Sequence, residues 1–234
     1  NYFYNEWTGY GNGNGQGVFY YHTLNDNQVG RSFTTFTVNV PATDGTWSSC
    51  YTEIRRANIM IEKVPTIESM TDQAKAHWIG VARLYRAWQH FCLVRKFGDC
   101  VMVDKNLNVT DEDKEAYLYT PRNNRNDVMD FILEDLNFAV ANINQDGSSR
   151  VAYNNAVAQA IKSRICLFEG TYAKYHQNDN ARANKFLNES KTASQAIMNN
   201  SMYVLNGSYR ANYNSADLSG NKEMIMYKKY VKSV

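Results

Sequence analysis

The sequence predicts a mostly α-helical protein built from consecutive helical hairpins, a tetratricopeptide-like array with long loops and a few short strands. Segment 78–97 has apolar residues at helical spacing on more than one face, which predicts a long helix with neighbours on several sides. Apolar residues recur every three or four positions from 128 to 143. Segment 154–175 adds alanines at which another helix can approach closely. Successive helices joined by loops are typical of such arrays, although the strict repeat consensus is absent.

The first half of the chain divides into a loop region and two helices. Residues 1–43 are rich in aromatic residues, Gly and Asn without a sustained period, which predicts a long ordered loop with one short strand near 32–40. A first helix is expected from about Thr46 until Pro65 closes the segment. The long second helix has Thr71 or Asp72 as N-cap and Gly98 as its C-terminal stop. Segment 100–121 is mostly loop.

The second half predicts three further helices and two short strands. Residues 128–143 form a helix with a single buried face, followed by helices at about 154–175 and 180–199. Segments 202–205 and 224–227 predict short strands that share one small sheet. The predicted organisation is therefore an aromatic loop region at 1–43, a helical scaffold at 44–200 and short strands at 201–234. Trp78, Tyr85 and Trp88 of the second helix are assigned to the core.

Charge and cysteine content exclude several classes of partner. Lys plus Arg number 25 and Asp plus Glu number 23, so the net charge of +2 gives no support for a nucleic-acid surface. The four cysteines are scattered singly, which argues against zinc and favours buried thiols, with a disulfide as the alternative. No apolar run approaches the roughly 20 residues that a membrane-spanning helix needs.

Motifs for catalysis are lacking. The four histidines have no metal-site spacing, and no Gly-x-Ser-x-Gly elbow is present. The Gly-rich segment 11–17 fits neither a dinucleotide fingerprint nor a P-loop, so a tight or flexible turn is favoured over a ligand loop. The acidic residues at 111–113 and at 134–135 do not make a convincing glycosidase pair. We therefore predict a binding protein that is not an enzyme and needs no cofactor or metal.

The aromatic loop at 2–21 suggests the ligand. Its rings alternate with Asn and Gln side chains. Flat aromatic faces cover the C–H faces of a pyranose, and amides satisfy its hydroxyl groups without a charge to desolvate. This combination favours a neutral polyhydroxylated ligand. The alternative is that most of these rings belong to the core.

Five motifs together resemble the SusD/RagB family. Residues 47–58 are similar to the family's W-x-x-x-Y-x-x-I-x-R-A-N helix, and residues 82–99 to its A-R-F-L-R-A helix ending in L-V-x-x-F-G-D. Further similarities are the I-x-x-D-L helix at 125–139, the alanine-rich helix at 160–170 and an E-x-I-F strand at 222–226. The chain departs from the family at 100–102, where V-P-L is usual, and at Met226, where an aromatic is usual.

This resemblance implies a surface-exposed lipoprotein in the outer membrane of a Gram-negative bacterium. Such a protein captures oligosaccharide or polysaccharide and passes it to a SusC-like TonB-dependent transporter. The protein would be attached to the membrane through an N-terminal lipid anchor, which is absent from this chain. We expect residues 1–234 to be one SusD-like domain, a fragment without the signal peptide, the lipidated N-terminus and the C-terminal half. A tetratricopeptide-like scaffold would face the transporter.

The resemblance also implies that loops build the ligand site, including the loop before Trp47. Within that loop Trp7 and Tyr10 are the candidates for stacking on a sugar, and Asn12 and Asn14 the candidates for its hydroxyl groups. Two other classes stay open at this point. One is a helical-repeat scaffold that binds only protein, which would not need an aromatic loop, and the other is an enzyme with a helical domain.

Overall fold

Helices make up most of the described chain. The computed structural model describes residues 42–108, 119–145, 150–215 and 217–229. Six α-helices lie within these ranges, and their bounds are α1 Gly45–Lys63, α2 Asp72–Phe97, α3 Arg125–Asn142, α4 Asn155–Tyr172, α5 Asn180–Met198 and α6 Tyr209–Asn214. A short 3-10 turn, Val64–Thr66, follows α1, and a π-helical turn, Ala173–Gln177, follows α4. The prediction of a mostly helical fold is confirmed.

Local side chains set where these helices begin and end. The Thr71 hydroxyl accepts a hydrogen bond from the Ala74 N–H at 3.2 Å and caps the N-terminus of α2. Gly98 ends the same helix at φ +73°, a left-handed conformation that favours glycine, and its N–H donates to Val94 O. Asn154 and Asp179 cap α4 and α5 in the same way as Thr71. The predicted caps of α2 are therefore confirmed.

The long helix α2 lies between α1 and α3 and supplies much of the core. Its buried positions occur on several faces and include Val81, Leu84, Tyr85, Phe91 and Leu93. The prediction that α2 has neighbours on several sides is therefore confirmed. Farther along the chain, α4 and α5 form a second closely packed pair.

Trp78 does not belong to the core, contrary to the prediction, because its side chain is 42% exposed. Full burial along α2 begins only at Gly80, and the residues from Ala74 to His77 are half-buried. The Trp78 ring contacts the His77 ring edge to face, with 4.9 Å between centroids. Tyr85 is buried as predicted, and Trp88 is half-buried.

The strands predicted at 202–205 and 224–227 do not form. Both segments emerge from turns, closed by hydrogen bonds from Tyr203 N to Asn200 O and from Met224 N to Asn221 O. A bond from Val204 N to Lys222 O at 3.2 Å joins them without extending into a ladder within the described residues. The small helix α6 lies between them and was not predicted, although Ser208 is a recognisable N-cap.

Several predictions concern residues outside the described ranges. They are the strand near 32–40, the Gly-rich segment 11–17 and the acidic residues at 111–113. Where the chain is described, no helix is both long and apolar enough to cross a membrane.

Candidate functional site

The candidate site is a groove beside α1. Trp47, Tyr51 and Arg55 are spaced by four residues and therefore lie on one face of the helix. The segment 101–107 runs opposite this face. Together they enclose a cavity of about 370 Å³, which we call the α1 groove; it is lined by Trp47, Tyr51, Arg55, Val101, Val103, Lys105 and Leu107. This volume lies within the range of small-ligand sites.

The second wall of the groove is an extended segment. The lining residues from 101 to 107 occur at every second position, as expected where side chains alternate between two sides of the backbone. Side chains of α1 and of the segment just before α3 bind its main chain. The Tyr51 hydroxyl donates to Val101 O at 2.9 Å and accepts from Val101 N at 2.8 Å, and Asn123 Oδ1 accepts from Met102 N.

Buried polar side chains of α1 and α2 anchor the middle of this wall. Asn58 Nδ2 donates to Val103 O and Lys105 O at 3.1 and 3.0 Å. His90 Nε2 accepts from Val103 N at 3.3 Å. Arg86 donates to Asp104 O at 2.6 Å. Because these side chains satisfy the main-chain groups, the wall is fixed in place before any ligand arrives.

Arg86 is itself held rigidly. It donates two hydrogen bonds of 2.7 Å to the two carboxylate oxygens of Asp135 on α3, and a third to Asn58 Oδ1. All three residues are buried. Burial raises the pKa of the Asp135 carboxyl, and the adjacent Arg86 opposes that effect. Asp135 is therefore part of the scaffold, and Glu134 and Asp135 do not form a catalytic pair.

The open end of the groove is aromatic and cationic. The Trp47 ring meets the rings of Tyr51 and Phe97 edge to face, with centroids 5.1 and 5.2 Å apart. The guanidinium of Arg122 lies 4.8 Å from the Trp47 ring centroid. Burial raises the pKa of the Tyr51 hydroxyl further above neutral pH, and the protonated hydroxyl donates to Val101 O.

A second cavity of about 470 Å³ has a different chemistry. It lies between the end of α5 and the segments near 204 and 224, and its lining is Ile197, Met198, Tyr203, Val204, Leu205, Glu223 and Ile225. The Glu223 carboxylate already accepts hydrogen bonds from Asn212 Nδ2 and Asn206 N. Among its described lining residues only Tyr203 and Glu223 are polar, whereas the α1 groove brings the N–H donors of Arg55 and Lys105 to the same cavity as the Trp47 ring. The α1 groove is therefore the better candidate for a glycan.

Sequence reasoning reached the neighbourhood of the groove without finding its residues. The predicted binding residues Trp7, Tyr10, Asn12 and Asn14 lie outside the described ranges, so their role stays a prediction. In the sequence, Trp47 and Tyr51 are motif residues of the first helix, and their spacing with Arg55 is the signal that indicates a shared face. Nothing in the sequence placed 101–107 opposite them. Across the described ranges, no cluster of three or more His, Cys, Asp or Glu residues could hold a metal ion.

The fold and the groove define a helical-array protein with a preformed, ligand-sized site next to its first helix. A model of a SusD-like family, described as starch-binding and associating with the outer membrane, matches residues 12–167. The chain belongs to this SusD-like family. The resemblance inferred from the five motifs is thereby confirmed.

Individual relatives show the same relationship. A SusD-like protein of Bacteroides ovatus is 32% identical over 125 residues, which are 53% of this chain and 22% of that protein. A structure solved with a xylogluco-oligosaccharide is 25% identical with a TM-score of 0.58, and the match covers 78% of this chain and 34% of that one. A SusD-superfamily structure from Bacteroides fragilis has a TM-score of 0.64 at 19% identity, covering 80% and 36%. The chain thus spans about a fifth to a third of these relatives.

Proposed function

We propose that this chain contributes a glycan-binding site to a nutrient-capture protein and that the α1 groove holds part of an oligosaccharide. The observation that carries the proposal is the groove itself, where aromatic rings and hydrogen-bond donors line one preformed cavity. Membership of a family described as starch-binding supports it, as does similarity to a protein solved with a xylogluco-oligosaccharide.

The chemistry of the lining suits a sugar. Trp47 offers an aromatic surface for the C–H face of a pyranose ring. Arg55 and Lys105 bring N–H donors to the same cavity, where they would meet ring and hydroxyl oxygens. The anchored wall at 101–107 needs little reordering on binding, which lowers the entropic cost of association.

The loop at 1–43 is proposed to supply further glycan-binding residues. Its last residue is four positions before Trp47 in the sequence. Trp7 and Tyr10 would add stacking surfaces, while Asn12 and Asn14 would bind hydroxyl groups.

For the whole protein we propose capture rather than conversion. The protein would be a surface lipoprotein of the outer membrane that delivers oligosaccharide to a SusC-like TonB-dependent transporter. The family's described association with the outer membrane supports the location. The alternative is a helical-repeat scaffold that binds only protein, and the aromatic lining of the groove favours the glycan reading over it.

Isothermal titration of the full chain against a panel of oligosaccharides tests the proposal. We expect one glycan class to bind and Trp47→Ala to weaken it by about tenfold, since one lost stacking contact is worth on the order of 1.4 kcal/mol. Trp78→Ala is the matched control, because Trp78 is exposed on α2 and does not line the groove. Trp7→Ala tests the contribution of the loop.

The outcomes of this titration distinguish glycan binding in the groove from a protein-binding scaffold and from an enzyme. Loss of affinity in Trp47→Ala with no change in Trp78→Ala supports the groove, provided that circular dichroism shows both variants folded. Equal losses in both variants would contradict it. Absence of binding to every glycan would favour the scaffold, and hydrolysis products in the titration mixture would contradict capture without conversion.

A further inference from the structure

We infer that the α1 groove selects an acidic sugar and that Arg55 binds its anionic group. This inference rests on the proposed glycan-binding function and specifies its substrate class. It departs from the neutral ligand that the loop at 2–21 suggests, because it depends on the charges that the fold assembles around the groove.

The charged residues that the structure describes in the lining of the groove are positive. They are Arg55 and Lys105, and no acidic residue is among the seven described lining residues. A third cation, Arg122, lies over the Trp47 ring at the same end of α1. The chain as a whole is nearly balanced, with 25 basic and 23 acidic residues. The positive lining is therefore a local feature of the groove, and it favours an anion within it.

Arg55 is oriented by a neutral partner. Its Nε donates to Asn106 Oδ1 at 3.3 Å, and it makes no ion pair within the described part of the chain. Asn106 is in turn fixed, because its Nδ2 donates to Glu62 at 3.2 Å and to Asn108 at 3.2 Å. Glu62 itself pairs with Lys63 at 2.7 Å. The amide thus positions the guanidinium without neutralising its charge.

Three other arginines of the scaffold contrast with this arrangement. Arg56, the next residue on α1, pairs with Glu53, and Arg86 pairs with Asp135. Arg125 pairs with Glu169. These side chains satisfy their charges within the fold, whereas the charge of Arg55 faces the groove. A bound anion would form an ion pair with Arg55. The planar guanidinium suits a carboxylate, to which it can donate two parallel hydrogen bonds.

The sugar ring and its acidic group would be recognised at two different positions along the groove. Trp47 and Arg55 are slightly more than two helical turns apart, or about 12 Å along the axis of α1. A sugar ring against Trp47 and an acidic substituent at Arg55 can therefore be bound at the same time. Aromatic contact would supply general affinity for a pyranose, and the guanidinium would select the charged member of an otherwise similar pair.

Titration with paired ligands tests the inference. The probes are tetragalacturonate and its methyl ester, which differ in charge and by one methyl group on each carboxyl, together with glucuronate-containing and sialylated oligosaccharides and their methyl esters. We expect the full chain to bind at least one acid about tenfold more tightly than its ester in low salt. This preference should shrink near 1 M salt, where the screening length falls to about 3 Å.

Substitutions then assign the preference to Arg55. Arg55→Gln should abolish the preference for the acid, because it weakens binding of the acid far more than binding of the ester, while Arg55→Lys should keep part of the preference. Arg164→Gln is the matched control, since it removes the same charge from an exposed position on α4 outside the groove. It should not change either affinity.

The results distinguish this inference from the proposed function. Equal affinity for acids and esters, binding of neutral glycans alone, or an acid preference that survives Arg55→Gln would overturn the inference and leave glycan binding standing. Absence of binding to every glycan would overturn both. A preference lost in Arg55→Gln and retained in Arg164→Gln would support it.

Discussion

At the scale of single residues, His90 links the core of the array to the wall of the groove. It is fully buried, with Nδ1 3.0 Å from Arg86 O and Nε2 3.3 Å from Val103 N. A carbonyl oxygen only accepts, so Nδ1 carries the proton and Nε2 accepts from the Val103 N–H. This bonding requires the neutral ring. Burial, helped by the charge of Arg86, lowers the pKa of His90 from 6.5 to about 4.

His90 should therefore make stability depend on pH. The pKa is lower in the folded chain than in the unfolded chain, so the unfolded chain takes up the proton first as the pH falls. The contribution of His90 is fully present above pH 6.5 and is lost as the pH falls towards 4, by up to about 3 kcal/mol. Urea unfolding followed by circular dichroism from pH 7.5 to 4.5 would measure this loss.

A comparison of variants isolates this effect from the carboxyl groups. His90→Gln should flatten the pH dependence over that interval, at the cost of lower stability at pH 7. His176→Gln, at an exposed position, should keep the dependence of the parent chain. If His90→Gln and the parent lost stability in parallel, the assignment to His90 would be wrong.

At the scale of elements, the hairpin of α4 and α5 depends on small residues at its contact. Gly170 on α4 faces Leu187 on α5, and a Cβ at Gly170 would lie 2.7 Å from Leu187 Cγ and 3.0 Å from its backbone nitrogen. Farther along the pair, Ser163 contacts Ser190 and Ser194 through their hydroxyl groups at 3.2 and 2.7 Å. The alanine-rich sequence predicted such an approach, and the two helices do pack closely.

Gly170→Ala should therefore destabilise the protein although alanine is the better helix former. Alanine gains about 1 kcal/mol in helix propensity, but the methyl group must displace the backbone of α5, and overpacking of this kind costs typically 1–3 kcal/mol. We expect a lower urea midpoint. Gly45→Ala is the control, since a Cβ there meets nothing within 4 Å. An unchanged urea midpoint in Gly170→Ala would show that α5 can shift to accommodate the methyl group without a loss of stability.

At the scale of the whole molecule, the array joins two groups of helices through polar contacts. Helices α1, α2 and α3 pack extensively with their neighbours, as do α4 and α5, whereas α3 and α4 share a smaller interface. Arg125 on α3 bonds to Glu169 on α4, and Arg182 on α5 bonds to both Glu169 and Asp130 of α3. Glu169 is completely buried, so its charge depends on the two arginines.

Glu169→Gln should weaken the polar contacts between the two groups of helices and lower the stability of the protein. The substitution leaves the largely buried guanidinium of Arg125 without a carboxylate, and removal of one partner from a buried ion pair costs about 3 kcal/mol or more. Lys185→Gln is the comparison, because its ion pair with Asp130 is exposed and should be worth less than about 1 kcal/mol. Urea unfolding of both variants measures the difference, and similar midpoints would show that the network adds little.

The sequence by itself determined the positions of the five longer helices and the family. Apolar spacing marked their buried faces, and Thr71 and Gly98 marked the ends of α2. These signals are local, because a helix forms and ends through contacts among residues three or four positions apart. The local patterns failed at 202–205 and 224–227. Apolar residues predicted strands there, but the backbone N–H groups of Tyr203 and Met224 form hydrogen bonds that close turns.

Only the tertiary structure determined which residues form the groove and which form the polar contacts between the two groups of helices. Tyr51 and Val101 are 50 positions apart, and Arg86 and Asp135 are 49 apart. No periodicity within one helix predicts such pairs, because they depend on how α1, α2 and α3 pack against one another. The same packing places Trp78 outside the core and leaves Arg55 facing a cavity. Helices were therefore predictable from local sequence, whereas a site assembled from distant segments required the fold.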